Sequence, residues 1–287
     1  MRGLWWGVVA SAIVVVLAIA AAGEILSRPA SAAIGEPPVE LHASSVRLAV
    51  SSSQFVAGWL ARGTPGHGAV LLLHGVRSNR TQMLGRARFL LAQGYSVLLV
   101  DLPAHGENSG ERITFGANEA EGVSSALAFL RSELAGERIG VIGVSLGAAS
   151  LVLSRPNEAP NAVVLESMYP TIAEAVADRL AIQFGPLGAY LSPVLLWQLP
   201  LRAGVTEQQL RPIVALPALQ APLLIVSGTS DQHTTWEETQ RIFAAANQPK
   251  ELWAVEGAAH VDLHSYAPSA YEARILKFLA RYLRNEA

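Results

Sequence analysis

The chain has 287 residues, of which 51% are apolar and only 15% charged, with 21 Lys and Arg against 23 Asp and Glu. That length suits one well-buried domain with a small insertion. The formal charge of -2, without any Lys/Arg stripe, excludes a nucleic-acid footprint, and the absence of cysteine excludes disulfides, thiol nucleophiles and Cys-ligated metals.

In chain order, the first feature is a run without charge from Leu4 to Ala22, preceded by Arg2 and followed by Glu24. A helix of this length can cross a hydrocarbon core of roughly 30 Å. The charge bias puts the N-terminus inside and the rest on the exoplasmic or periplasmic side, with Trp5 and Trp6 at an interface. Residues 1–23 therefore read as a single-pass anchor. The competing reading is a signal peptide cleaved near Ala20, Ala21 and Ala22, which would leave a secreted protein. Residues 24–43, with Pro29, Pro37 and Pro38 among small residues, read as a linker.

Residues 44–287 read as one domain. Alternation at Val46, Leu48 and Val50, then at Phe55, Ala57 and Trp59, predicts a β-hairpin. Buried strands are predicted at Ala69–Leu73, Tyr95–Val100, Arg138–Ile142, Ala162–Leu165, Leu223–Val226 and Glu251–Val255. Helices are predicted over 80–92, 118–133, 145–153, 236–246 and 271–283. The last carries Arg274, Lys277, Arg281 and Arg284, which solvate it and complement its dipole. Strands alternating with helices predict an α/β fold, a mostly parallel sheet covered on both faces, with chemistry at the carboxyl ends of the strands. Residues 168–215 interrupt the alternation and are too long for an ordinary connection. They read as a small helical cap over the site, or as extra helix on the sheet edge.

The chemistry-bearing residues lie at predicted strand ends. Gly143-Val144-Ser145-Leu146-Gly147 joins a strand to a helix, the setting that exposes a serine hydroxyl for nucleophilic attack. Asp231, in Ser227-Gly-Thr-Ser-Asp, and His260, in Glu256-Gly-Ala-Ala-His, follow at later strand ends. They would serve as orienting acid and general base. His264 is a rival base, and Glu166 and Asp262 are rival acids; Asp262 otherwise reads as a helix cap or solvated loop residue, and His233 as a rim or capping residue. A metal site built from His233, His260 and His264 lacks ligand spacing. Oxyanion donors are expected at the amides of Leu146 and of Val76, the latter in His74-Gly75-Val76, where Gly75 allows a tight approach and His74 is structural. The loop Asp101-Leu-Pro-Ala-His105-Gly106 shapes the floor.

The ordered set His74-Gly75, Asp101-x-x-x-His105-Gly106-x-x-Ser109, Gly143-x-Ser145-x-Gly147, Gly228-x-x-Asp231 and Gly257-x-x-His260 resembles the α/β-hydrolase superfamily over residues 45–283. The closest likeness is to bacterial serine-aminopeptidase-like and BEM46-like hydrolases. Pro103-Ala104 departs from the Arg-Gly commoner in the family. The resemblance implies hydrolysis of an ester, thioester or amide through an acyl-enzyme, without a cofactor. An apolar cap (Leu187, Leu191, Val194, Leu195, Leu196, Trp197) beside an anchor, with few charges near the motifs, points to a carboxylic ester, apolar or lipid-like. A serine peptidase or thioesterase is the alternative, and a ligand-binding scaffold without catalysis is the alternative outside the enzymes.

Overall fold

The structure, a computed structural model, describes residues 2–51 and 54–284. Met1 and the last three residues of the expected domain thus lie outside the described residues. The central sheet has eight strands: β1 (Ser44–Ala49), β2 (Phe55–Ala61), β3 (Ala69–Leu73), β4 (Ser96–Val100), β5 (Ile139–Val144), β6 (Ala162–Glu166), β7 (Leu223–Gly228) and β8 (Lys250–Val255). Their spatial order is β8-β7-β6-β5-β3-β4-β2-β1. The hairpin β1–β2 and the pair β2–β4 are antiparallel, and all other pairs are parallel. β3, β4, β5 and β6 are buried along their whole length, which is why they read as unbroken apolar runs.

Eleven helices accompany this sheet among the described residues: α1 (Arg2–Ser27), α2 (Leu84–Ala92), α3 (Ala117–Glu133), α4 (Leu146–Ser154), α5 (Ile172–Phe184), α6 (Ser192–Leu196), α7 (Leu199–Ala203), α8 (Pro212–Ala215), α9 (Trp236–Ala245), α10 (Leu263–Tyr266) and α11 (Pro268–Leu283). The core is double, as a sheet covered on two faces requires. Leu71, Val100, Val141 and Leu165 pack toward α3, α4 and α9, whereas Leu72, Val144, Val164 and Val226 pack toward α2 and α11. Polar caps start several helices. Thr171 accepts from the Glu174 amide at 3.2 Å, and Thr235 from the Glu238 amide at 3.3 Å. In the last helix, Arg274 and Arg281 both pair with Glu251 on β8, at 2.8 and 2.6 Å.

Helices α5 to α7 form a cap with its own small core of Ile172, Leu196, Leu199, Val205 and Leu210. The cap lies above the carboxyl ends of the strands. The helix α1 contains a 23-residue segment, Trp5–Ser27, long and apolar enough to cross a membrane, with mean hydropathy 2.5. It runs four residues past the expected end of the anchor. The stretch that follows is pinned rather than loose: Ala30–Ser31 pairs in parallel with His105–Gly106, and the amides of Ile34 and Gly35 donate to Glu107 at 3.1 and 2.8 Å. The partners of this stretch sit seventy residues away, and no local periodicity announces them.

Candidate active site

The turn between β5 and α4 carries Ser145. Its backbone sits at φ 48°, ψ −106°, a strained conformation for a residue with a side chain. The turn is held by the Ser145 amide, which donates to the Glu166 carbonyl at 2.8 Å. The flanking glycines are steric necessities. A Cβ on Gly143 would stand 2.7 Å from the Ala148 nitrogen, and one on Gly147 would stand 2.6 Å from the Leu73 carbonyl oxygen. Strand and helix therefore close on each other only without side chains at these two positions, and the serine is thrust out above the sheet.

Ser145 lines a cavity of about 400 Å³. Val76 and Leu146 line it too, as does His233. The remaining wall is mainly apolar, with Ile172, Val176, Leu180 and Ile182 from α5, Leu195 from α6 and Leu26 from the last turn of α1. Charges are more numerous here than the sequence suggests, because Arg77 and Arg179 both reach this wall. Arg179 projects from α5 and donates to the Ala175 carbonyl one turn back at 2.7 Å, and Arg77 donates to the Ile25 carbonyl at 3.0 Å.

His260 and Asp231 meet at the ends of β8 and β7, with His260 Nδ1 2.8 Å from Asp231 Oδ2. Their loops are locked together. The Ser230 amide donates to the Ala258 carbonyl at 2.9 Å, and a Cβ on Gly228 would fall 2.0 Å from that same oxygen. Asp231 Oδ1 also accepts from the amides of His233 and Thr234, at 2.8 and 3.0 Å. Burial works against its charge, but the His260 bond and these amides outweigh burial and hold the carboxyl below its usual range. His233 packs on His260 with ring centroids 5.0 Å apart, which ties the His260–Asp231 pair to the Ser145 cavity.

The rival residues are engaged elsewhere. Glu166 binds Arg86 through two bonds, at 3.1 and 2.6 Å, and accepts the Tyr271 hydroxyl. Asp262 pairs with the same Arg86 and caps α10 through the Ser265 amide at 2.7 Å. His264 lies 2.9 Å from Glu272 on α11. His74 is fully buried. Its Nδ1 donates to the Gly75 carbonyl at 2.7 Å, and its Nε2 accepts from the Leu102 amide at 2.9 Å. Burial, reinforced by neighbouring His105, pulls its pKa down to about 3, so the ring stays neutral. Asp101 anchors the floor loop by accepting from the Arg80 amide at 2.7 Å, the Arg80 guanidinium and the Glu107 amide. At Gly75 a Cβ would meet Gln82 Oε1 at 3.6 Å and the Val144 carbonyl at 3.8 Å, ordinary contact distances, so the fold itself does not force a glycine there.

Sequence reading missed Gln82, which accepts the Gly75 amide at 2.8 Å and so fixes the loop bearing Val76. It also missed Tyr169, whose hydroxyl donates to the Phe115 carbonyl at 2.8 Å beside the cavity. Neither lies in a motif, and the partners become visible only once the fold is closed.

Comparison with known proteins gives this geometry a lineage. The model of the alpha/beta hydrolase family matches residues 70–274, most of the domain. The chain belongs to the alpha/beta hydrolase family. The uncharacterized protein Rv2307c of Mycobacterium tuberculosis is 30% identical over 81% of this chain and 76% of its own length. The uncharacterized protein YqkD of Bacillus subtilis is 22% identical over 73% and 70%. Among solved structures, this hydrolase superposes on the Pyrococcus furiosus esterase Pf2001 with a TM-score of 0.74, at 26% identity over 90% of this chain and 98% of that one.

Proposed function

We propose that this hydrolase is a serine esterase, held at a membrane by α1, that cleaves carboxylic esters with an apolar or lipid-like acyl chain. The observation that carries the proposal is the strained Ser145 turn opening into an apolar cavity. In this reading Ser145 Oγ attacks the ester carbonyl while His260 takes its proton. The amides of Val76 and Leu146 receive the developing oxyanion, the latter aided by the N-terminus of α4. The C–O bond then breaks, His260 returns the proton to the departing alcohol, and water repeats the sequence on the acyl-enzyme. Asp231 keeps the proton of His260 on Nδ1 and steadies the imidazolium. The likeness to a solved esterase supports ester substrates over peptides.

The two parts of the wall suit a substrate with two parts. The α5 side accepts an acyl chain, and Arg77 and Arg179 offer donors to a polar head. The test is labelling of the full-length protein by a fluorophosphonate probe, wild type beside Ser145→Ala, followed by a p-nitrophenyl ester series of increasing chain length. Labelling of wild type alone, with turnover peaking beyond the shortest esters, is expected. Unlabelled, folded wild type overturns the proposal.

A further inference from the structure

The cap carries an apolar surface that its own core does not use. Phe184, Leu187, Tyr190, Trp197 and Leu201 are each 68–78% exposed. So many exposed large apolar side chains on one small element are unusual on a surface facing water. Its position relative to α1 says what covers it.

α1 does not leave the domain at its last residue. It docks on the cap over its final three turns. Gln198 donates to the Ile19 carbonyl at 3.0 Å, and Arg202 donates to the Ala20 carbonyl and to Glu24, each at 2.7 Å. Arg112, in the loop before α3, holds Glu24 from the hydrolase side at 2.8 Å. Between α1 and the cap runs a groove of about 330 Å³ lined by Val16, Ile19 and Ala20 on one side and by Val194, Trp197 and Leu201 on the other.

Depth follows from helix geometry. About 20 residues are needed to cross the hydrocarbon, which Trp5 to Glu24 supplies with Glu24 at the surface. Val16 lies eight residues before Glu24, and at ~1.5 Å per residue it is ~12 Å below that surface. The cap residues that reach Val16 must sit at a comparable level.

We infer that the cap itself is a membrane-inserted element: the face bearing Leu187, Trp197 and Leu201 lies within the outer leaflet alongside α1, and the bilayer is its partner. The inference rests on the reading of α1 as an uncleaved anchor but not on the catalytic reading. Arg202 and Gln198 fit this placement, since their polar heads are spent on α1 carbonyls and on Glu24 rather than left in lipid. Leu195 of the cap, next to Val194 of that groove, also lines the Ser145 cavity, so the cavity lies beside the inserted face. Substrate enters sideways from the leaflet.

The absence of native cysteine makes the test direct. Full-length protein carrying Leu187→Cys, Trp197→Cys or, as a control, Ser132→Cys at the exposed end of α3 is labelled with an environment-sensitive fluorophore. Each sample is then reconstituted into phosphatidylcholine vesicles containing spin-labelled lipids. Blue-shifted emission and quenching by lipid spin labels at 187 and 197, with neither at 132, is the expected result. Water-like emission at 187 and 197 in vesicles that retain the protein overturns the inference, as does failure of α1 to hold the protein in the vesicles at all. Both outcomes are read without any ester being cleaved, so they stand apart from the fate of the esterase proposal. Where activity is present, Leu187→Glu with Trp197→Glu should lower turnover of a bilayer-borne ester about tenfold and leave a soluble short-chain ester unaffected. Equal rates on both substrates would contradict lateral entry.

Discussion

Asp231 and Glu166 are two buried carboxylates at the carboxyl ends of adjacent strands, and they end in opposite circumstances. Asp231, after β7, faces His260, whose side chain remains 22% exposed and leads toward the Ser145 cavity. Glu166, at the end of β6, faces Arg86 and Tyr271, both sealed beneath the loops. The same functional group at the same level of the sheet thus faces a partly exposed histidine in one case, the partner it has in the proposed mechanism, and is spent as a structural clamp in the other. Strand position brings a carboxylate to the site, and the reach of its partner decides what it does there.

Substitutions can break this comparison. The largest expected effect frames it: Ser145→Ala should lower kcat by about a millionfold, measured on the preferred ester, without loss of stability. Asp231→Asn should lower kcat about ten-thousandfold with Tm little changed, because the ring is left in the wrong tautomer while the loop remains. Glu166→Gln should do the reverse. It leaves Arg86 short of a buried counter-charge, costs about 3–5 kcal/mol in denaturant unfolding, and spares kcat in the protein that folds. If Asp231→Asn unfolds the protein and Glu166→Gln silences it, the two roles are exchanged.

A third carboxylate sharpens the contrast through pH. Glu238 on α9 is pushed up to about 7, first by burial and then by the neighbouring charge of Asp178 on the cap helix α5. Because its pKa is raised on folding, the stability it contributes is full below its ordinary value of 4.5 and lost as pH rises through about 7. Asp231, whose pKa is lowered, behaves with opposite sign and contributes above its ordinary 3.8, losing that contribution in acid. Thermal melts across this range should show wild type softening toward alkaline pH and Glu238→Gln softening less. The smallest effect is expected of His264→Ala, which should leave kcat/KM within about twofold, since the Glu272 pair does not touch the site.

The strand-end turns of the candidate site were legible because their rules are local. A glycine on each side of Ser145, and a glycine three residues before Asp231 and before His260, mark turns that no other residue could make as closely. The central strands were legible because burial on both faces leaves their interiors apolar, as in Ala69–Leu73 and Ala162–Leu165, whereas the edge strands carry Arg47 and Glu251. Arg80 and Arg86 were not. Each sits on a short helical segment where an arginine normally points to water, and only their partners, at Asp101, Glu166 and Asp262, show why both are buried. The docking of α1 was equally hidden, since its grip depends on Arg112 and Arg202, one from each half of the chain.

That grip changes how the domain can search. A protein on a slack leash sweeps a hemisphere and samples whatever drifts past. Here Glu24 is held by Arg112, Arg202 and Arg28, and the next ten residues are stitched to the loop around His105 and Glu107. The hydrolase is therefore tied to α1 at several points rather than through a free tether. Under the anchor and the lipid-like ester proposed above, the encounter with substrate becomes a two-dimensional problem, governed by lateral diffusion and by the density of substrate in one leaflet.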